Sequence, residues 1–189
     1  MTPRLAANDL ACRRGERLLF RQLSLRLSAG EAVHVTGANG IGKSSLIRIL
    51  AGLLRPFAGT VERAGAVGLL DERHALDGAV PLAAALGFWR ALDGAEDALG
   101  RVGLMALAEV PVRYLSTGQK KRAALARLLG QKAPIWLLDE PLNGLDSGGV
   151  TLVERLIAEH LAGGGLAVIA SHQALATGAR TLALAECAA

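Results

Sequence analysis

Lys43 and Ser44 end a glycine-rich run, Gly37-Ala38-Asn39-Gly40-Ile41-Gly42-Lys43-Ser44, with the spacing GxxxxGK[ST]. Glycines in such a run let successive backbone N–H groups curl round an anion without Cβ clashes. The lysine suits the β- and γ-phosphates of a nucleotide, and the Ser44 hydroxyl suits Mg²⁺. The run lies between Ala32 to Thr36, read as a short strand, and Ser44 to Leu54, read as a helix with Leu46, Ile49, Leu50 and Leu53 on one face. That helix, with Ser45 in its first turn, points its positive end at the same phosphates. The strand–loop–helix setting is what separates a phosphate loop from an ordinary glycine turn.

A second site is Ile135-Trp136-Leu137-Leu138-Asp139-Glu140-Pro141. An apolar strand delivers two carboxylates at its C-terminal end, where parallel α/β sheets bind ligands. Asp139 suits the Mg²⁺ shell, and Glu140 suits a base that orients the attacking water. Pro141 ends the ladder. A pair of acids at a strand end is otherwise a turn or a helix cap. A third site is Leu115-Ser116-Thr117-Gly118-Gln119, followed by Lys120-Lys121-Arg122. Ser116 and Gln119 have capping-box spacing, so a basic helix begins there; a helix N-terminus with Ser and Gly is also an anion site. His172 follows the run Leu166 to Ala170 and is placed to touch a γ-phosphate, though a lone His is more often structural. Asp146 reads as a helix cap before Val150.

These residues need a frame. Leu23 to Leu27 alternates like a half-buried strand. Ile135 to Leu138 and Leu166 to Ala170 are continuous apolar runs, as strands covered on both faces are. Val150, Val153, Ile157 and Leu161 stripe a helix that Gly163 ends. The alternation is α/β with a parallel sheet. Residues 76–130 carry no strong strand and read as a helical subdomain.

At 189 residues the chain has room for one domain with a substantial core, and its 51% apolar composition excludes a disordered chain. No uncharged apolar run reaches the ~18 residues that a membrane helix needs. Met1 to Asp9 lacks the layout of a secretion signal. Cys12 and Cys187 form no CxxC pair and read as reduced, bland thiols. A net charge of +4 favours a polyanion or an anionic membrane surface, or is simply a solvated surface.

The five motifs and their order resemble the ABC ATPase family: phosphate loop Gly37–Ser44, signature Leu115–Gln119, strand Ile135–Glu140, loop Leu142–Asp146 and switch His172. The resemblance implies a P-loop NTPase (RecA-like) core with a parallel sheet, an ABC-type helical subdomain over about 76–130 and N-terminal antiparallel strands, all in one domain. It implies ATP and Mg²⁺ as cofactors. It also implies a homodimer formed on ATP, in which Ser116 and Gly118 of one copy close over the other's nucleotide and Asp146 lies across the interface. The resemblance implies integral membrane subunits as partners and no nucleic acid, with this chain held peripherally at the cytoplasmic face of the bacterial inner membrane.

Within the family, Val110 to Arg122, Pro134 to Pro141 and Gly163 to Gln173 are most similar to ATP-binding subunits of cytochrome c maturation haem exporters. Another ABC exporter is the alternative, and a non-transport ABC ATPase a more distant one. The interval from Lys43 to Ser116 is too short for the coiled coil of the DNA-repair kind. A module that binds without hydrolysing conflicts with the intact Lys43, Asp139, Glu140 and His172.

Two departures from the family stand out. Leu69-Leu70-Asp71-Glu72-Arg73-His74 lacks the expected Gln, so Glu72 or Arg73 takes its place. No aromatic near Arg14 is available for adenine, leaving Arg14 itself or Phe20 to stack. Asp71 to Ala85, with the apolar side Leu82, Leu86, Phe88 and Trp89, is expected to dock the membrane subunit; the alternative is that those four side chains pack the helical part. His34, His74 and His160 are expected to be surface or packing residues.

Overall fold

A computed structural model describes residues 2–93 and 97–187. Among them the strands form two sheets. The first is antiparallel, in the order β2–β1–β4, from β1 (Arg4–Arg14), β2 (Arg17–Ser28) and β4 (Ala58–Ala64). β1 and β2 alternate buried and exposed residues over most of their length, as strands with one solvated face do. Gly59 sits where β4 crosses a bulge in β1. A Cβ there would lie 2.4 Å from the Asp9 carbonyl oxygen, so no larger residue fits.

The second sheet is parallel, in the order β5–β6–β7–β3–β8. It comprises β3 (Ala32–Thr36), β5 (Val67–Leu70), β6 (Ile135–Asp139), β7 (Leu166–Ala170) and β8 (Arg180–Ala183). β6 and β7 are buried at every position. Their side chains divide by period two between two cores. Ile135, Leu137, Leu166 and Val168 join Phe20, Leu46 and Leu50 on the side of the antiparallel sheet. Trp136, Leu138, Ala167 and Ile169 join Leu82, Leu125 and Leu156 on the helical side.

Four α-helices complete the described chain: α1 (Lys43–Ala51), α2 (Leu82–Asp93), α3 (Thr117–Gly130) and α4 (Ser147–Ala162). α1 ends at a left-handed Gly52, where Arg63 of β4 donates to the Leu50 and Ile49 carbonyls at 2.5 and 2.8 Å. The helix is therefore shorter than the Ser44 to Leu54 pattern suggests. Leu53, expected on its buried face, lies beyond the cap and is 67% exposed. Residues 76–130 hold α2, two short 3-10 turns and α3. Leu82 and Leu86 are core residues there, whereas Phe88 is exposed. His34 is buried and lies 3.2 Å from the Ser171 carbonyl oxygen, and His160 stacks on Trp136 at 3.9 Å, both as packing residues. Cys12 is buried and Cys187 half-buried, both as free thiols.

Candidate functional site

The parallel strands β3, β6 and β7 deliver their C-terminal ends side by side. The loop after β3 wraps toward α1, with Gly37, Gly40 and Gly42 at positive φ. Gly42 is required twice over: its φ is 120°, and an added Cβ would lie 3.1 Å from the Phe20 ring. No side chain caps the start of α1, and no acid lies in its first turn. Its free N–H groups and positive dipole end face the loop, as an anion site requires. Ile41 packs against Gly37 and closes the loop from below.

Lys43 folds over the loop, donating to the Gly37 carbonyl at 2.8 Å and the Ala38 carbonyl at 3.4 Å. Its ammonium is also 3.7 Å from Glu140 Oε1. Asn39, Gly40, Gly42, Lys43, Ser44 and Ser45 line a cleft of about 380 Å³, facing Glu72, Glu140, Asn143 and His172. A second cleft of about 390 Å³ lies at the opposite strand ends, around Trp136 and His160. Its lining includes Glu159 and His160 but none of Gly37 to Ser45.

Asp139 ends β6 and is buried, with Oδ1 lacking a hydrogen-bond partner. Burial raises its carboxyl pKa; a hydrogen bond with Ser44 opposes this, and the Glu140 charge adds to it. A buried acid with an orphaned oxygen beside a serine hydroxyl fits a hard divalent cation such as Mg²⁺.

Glu140 follows in the left-handed region, φ 47°. That conformation costs a non-glycine residue about 1–3 kcal/mol and is held by its surroundings. Here the Glu140 N–H donates to the Ala170 carbonyl at 2.8 Å, and its own carbonyl accepts from Lys121 Nζ at 3.0 Å. The twist turns the carboxylate toward His172, whose Nδ1 lies 2.9 Å from Oε2. Gln173 Nε2 donates to Asn143 Oδ1 at 3.3 Å and ties the two strand ends together again.

Ser116 to Gln119 lie outside this cleft. Ser116 caps α3 with a complete capping box: Gln119 N–H donates to Ser116 Oγ at 3.2 Å, and Ser116 N–H to Gln119 Oε1 at 2.8 Å. Leu115 anchors the turn in the core, while Ser116 and Thr117 are exposed. Asp146 caps α4, accepting from Gly149 N–H at 2.8 Å, and is exposed.

Burial and position narrow two expectations about this region. Phe20 is fully buried beneath Gly42 and cannot stack on a base; Leu19, which the sequence did not single out, lines the cleft instead, and Arg14 is exposed beyond it. Of Glu72 and Arg73, only Glu72 lines the cleft, while Arg73 lies with His74, Arg127 and Gln131.

The ABC transporter family pattern matches residues 20–143. The chain belongs to that family. A cytochrome c biogenesis ATP-binding export protein CcmA from Novosphingobium aromaticivorans is 64% identical over 95% of both chains. A CcmA from Zymomonas mobilis is 53% identical over 91% of this chain and 80% of its own. In three dimensions the fold matches the ATP-binding cassette MJ0796, solved as a dimer bound to ADP and Pi, with a TM-score of 0.77 at 22% identity over 89% of this chain and 88% of that one. The fold is thus that of ABC ATPase domains, with a parallel P-loop core and an antiparallel sheet.

Proposed function

We propose that this chain is the ATP-hydrolysing subunit of an exporter serving cytochrome c biogenesis, with haem as the cargo. One observation carries the catalytic part: Glu140 stands between Lys43 and His172 at the mouth of the phosphate loop. The similarity to CcmA proteins over nearly the whole chain carries the biological part.

In this reading, Gly37 to Ser45 cradle the ATP phosphates. Lys43 exchanges the Gly37 and Ala38 carbonyls for phosphate oxygens. Ser44 and Asp139 would hold Mg²⁺, which when bound would neutralise charge developing on the phosphates. Glu140 orients and deprotonates the attacking water, and His172 fixes the Glu140 carboxylate and meets the γ-phosphate. Ser116 and Gly118, which do not line the cleft of their own chain, close the nucleotide of a second copy, with Asp146 at the interface. Glu72 takes the place of the family's Gln beside the metal site.

Among the described residues no helix is long and apolar enough to cross a membrane. In this reading the chain sits peripherally at the cytoplasmic face of the bacterial inner membrane, and integral partner subunits provide the passage. Phe88 and Leu92, one turn apart on α2 and exposed, offer an apolar contact for them. The test is complementation of a bacterium lacking its own copy of this subunit. Wild type restores c-type cytochromes and Glu140→Gln does not. Restoration by the Gln variant refutes the reading.

A further inference from the structure

Lys121 lies outside the cleft, yet it is only 3% exposed, less than Lys43. A buried ammonium is costly unless it is paired and hydrogen-bonded. Burial lowers its pKa, and the carboxylates of Glu72, Asp139, Glu140 and Asp71 pull the other way. Its Nζ donates to the Glu140 carbonyl at 3.0 Å. That carbonyl belongs to the left-handed residue whose N–H is already bound by β7. The Glu140 backbone is therefore held from two elements, β7 on one side and α3 on the other.

The start of α3 is locked to the same loop by shape. A Cβ on Gly118 would lie 2.9 Å from the Gly144 carbonyl oxygen, and one on Gly144 would lie 2.9 Å from Thr117 Cγ2. Helix and loop touch backbone to backbone there, with no slack for sliding. The cap and first turns of α3 thus present Ser116 and Thr117 to solvent and Lys121 to the Glu140 peptide.

We infer that Lys121 is the positioning residue for Glu140: its ammonium holds the Glu140 peptide so that the carboxylate stands over the phosphate loop, and it ties that posture to the placement of α3. The inference rests on Glu140 as the water-orienting base and on Ser116 to Gly118 as the surface that closes a second copy's nucleotide. It follows that docking on a partner's nucleotide reaches this copy's own base through Lys121, beside the close contact of Gly118 with Gly144.

The test uses the full-length chain in four forms: wild type, Glu140→Gln, Lys121→Met and Lys121→Arg. Steady-state hydrolysis gives kcat and KM, and light scattering with Mg-ATP gives the dimer. Lys121→Met should lower kcat roughly tenfold to a hundredfold, the scale of a misplaced catalytic group. Its KM should stay within about threefold of wild type, since ground-state binding is untouched. It should accumulate the ATP-bound dimer as Glu140→Gln does, and Lys121→Arg should recover most of the rate. The inference is overturned if Lys121→Met keeps wild-type kcat, if it loses ATP binding and rate together, or if Arg does no better than Met. Should the Met variant not fold, Lys121→Gln is judged by the same outcomes. Wild-type turnover by Glu140→Gln would instead remove the base assignment, whatever Lys121 does.

Discussion

Glu140 Oε2 and His172 Nδ1 meet at 2.9 Å across the ends of two neighbouring parallel strands, β6 and β7. Neither residue reaches the other through its own element. Glu140 needs a left-handed backbone to turn its carboxylate sideways, and His172 needs Ser171, buried and bound to the Val35 carbonyl, to set its departure from β7. The pair is therefore a product of sheet order, and its chemistry can be separated from nucleotide binding by mutation.

Glu140→Gln should bind Mg-ATP with near wild-type affinity and lose turnover by ~10²–10⁴, the usual contribution of a positioned base. His172→Ala should lower kcat more than it raises KM, because it frees the carboxylate without emptying the loop. Phosphate-release assays beside nucleotide titrations check both; unchanged kcat in either variant contradicts the assigned role.

Lys43→Ala should abolish tight ATP binding yet leave the fold intact. The side chain satisfies only the Gly37 and Ala38 carbonyls and one carboxylate, all at the solvent-accessible cleft. Titration with a fluorescent ATP analogue, together with a thermal melt, separates the two expectations. Retained affinity would remove Lys43 from the phosphate site.

Glu140→Gln with Mg-ATP should double its mass by light scattering, and Ser116→Arg in that background should stay monomeric. The arginine is tolerated at an exposed helix cap, at a cost of about 0.5–2 kcal/mol for the lost cap, but blocks closure on a second copy. A mass independent of ATP in the parent variant counts against the shared site.

Phe88→Glu should fold and hydrolyse ATP like wild type, since the ring is 63% exposed. It should fail to co-purify with the membrane subunits. Undiminished co-purification moves the docking surface elsewhere.

Acid should destabilise the chain in a defined window. Burial lowers the pKa of His160 and of His74 below the ordinary 6.5. On unfolding both regain that value and bind more protons. Their contribution is complete above 6.5 and is lost as pH falls through the folded values. The melting temperature should fall as pH drops below about 6.5, and His160→Phe, which keeps a ring against Trp136, should flatten the fall. Identical slopes in wild type and variant would contradict this.

The sequence made the phosphate loop, the strand Ile135 to Leu138, both caps and the helix from Val150 to Leu161 legible, because each rests on local spacing or local polarity. β1, β4, β5 and β8 carried no such signal. The buried residues of β1 include Ala7, Ala11 and Cys12, which give little amphipathic contrast, and β4 is largely exposed. Phe20 looked available because an aromatic near the turn suits a base, but it fills the core beneath Gly42. In the sequence Lys121 is one of three consecutive basic residues at a helix start. Only the helix rotation, fixed by Leu125 and Leu128 in the core, shows that this one points inward.

The division of β6 between two cores makes its length, more than its composition, the sensitive property. Any apolar exchange at Ile135 to Leu138 that preserves volume keeps each side chain in its own compartment. Removing one residue would exchange the compartments beyond the deletion and also deliver Glu140 where Asp139 now stands, exchanging the residue proposed for the metal with the one proposed for the water. The strand works as a ruler whose last graduation is chemical, so insertions and deletions there should be lost from a functional library long before substitutions are.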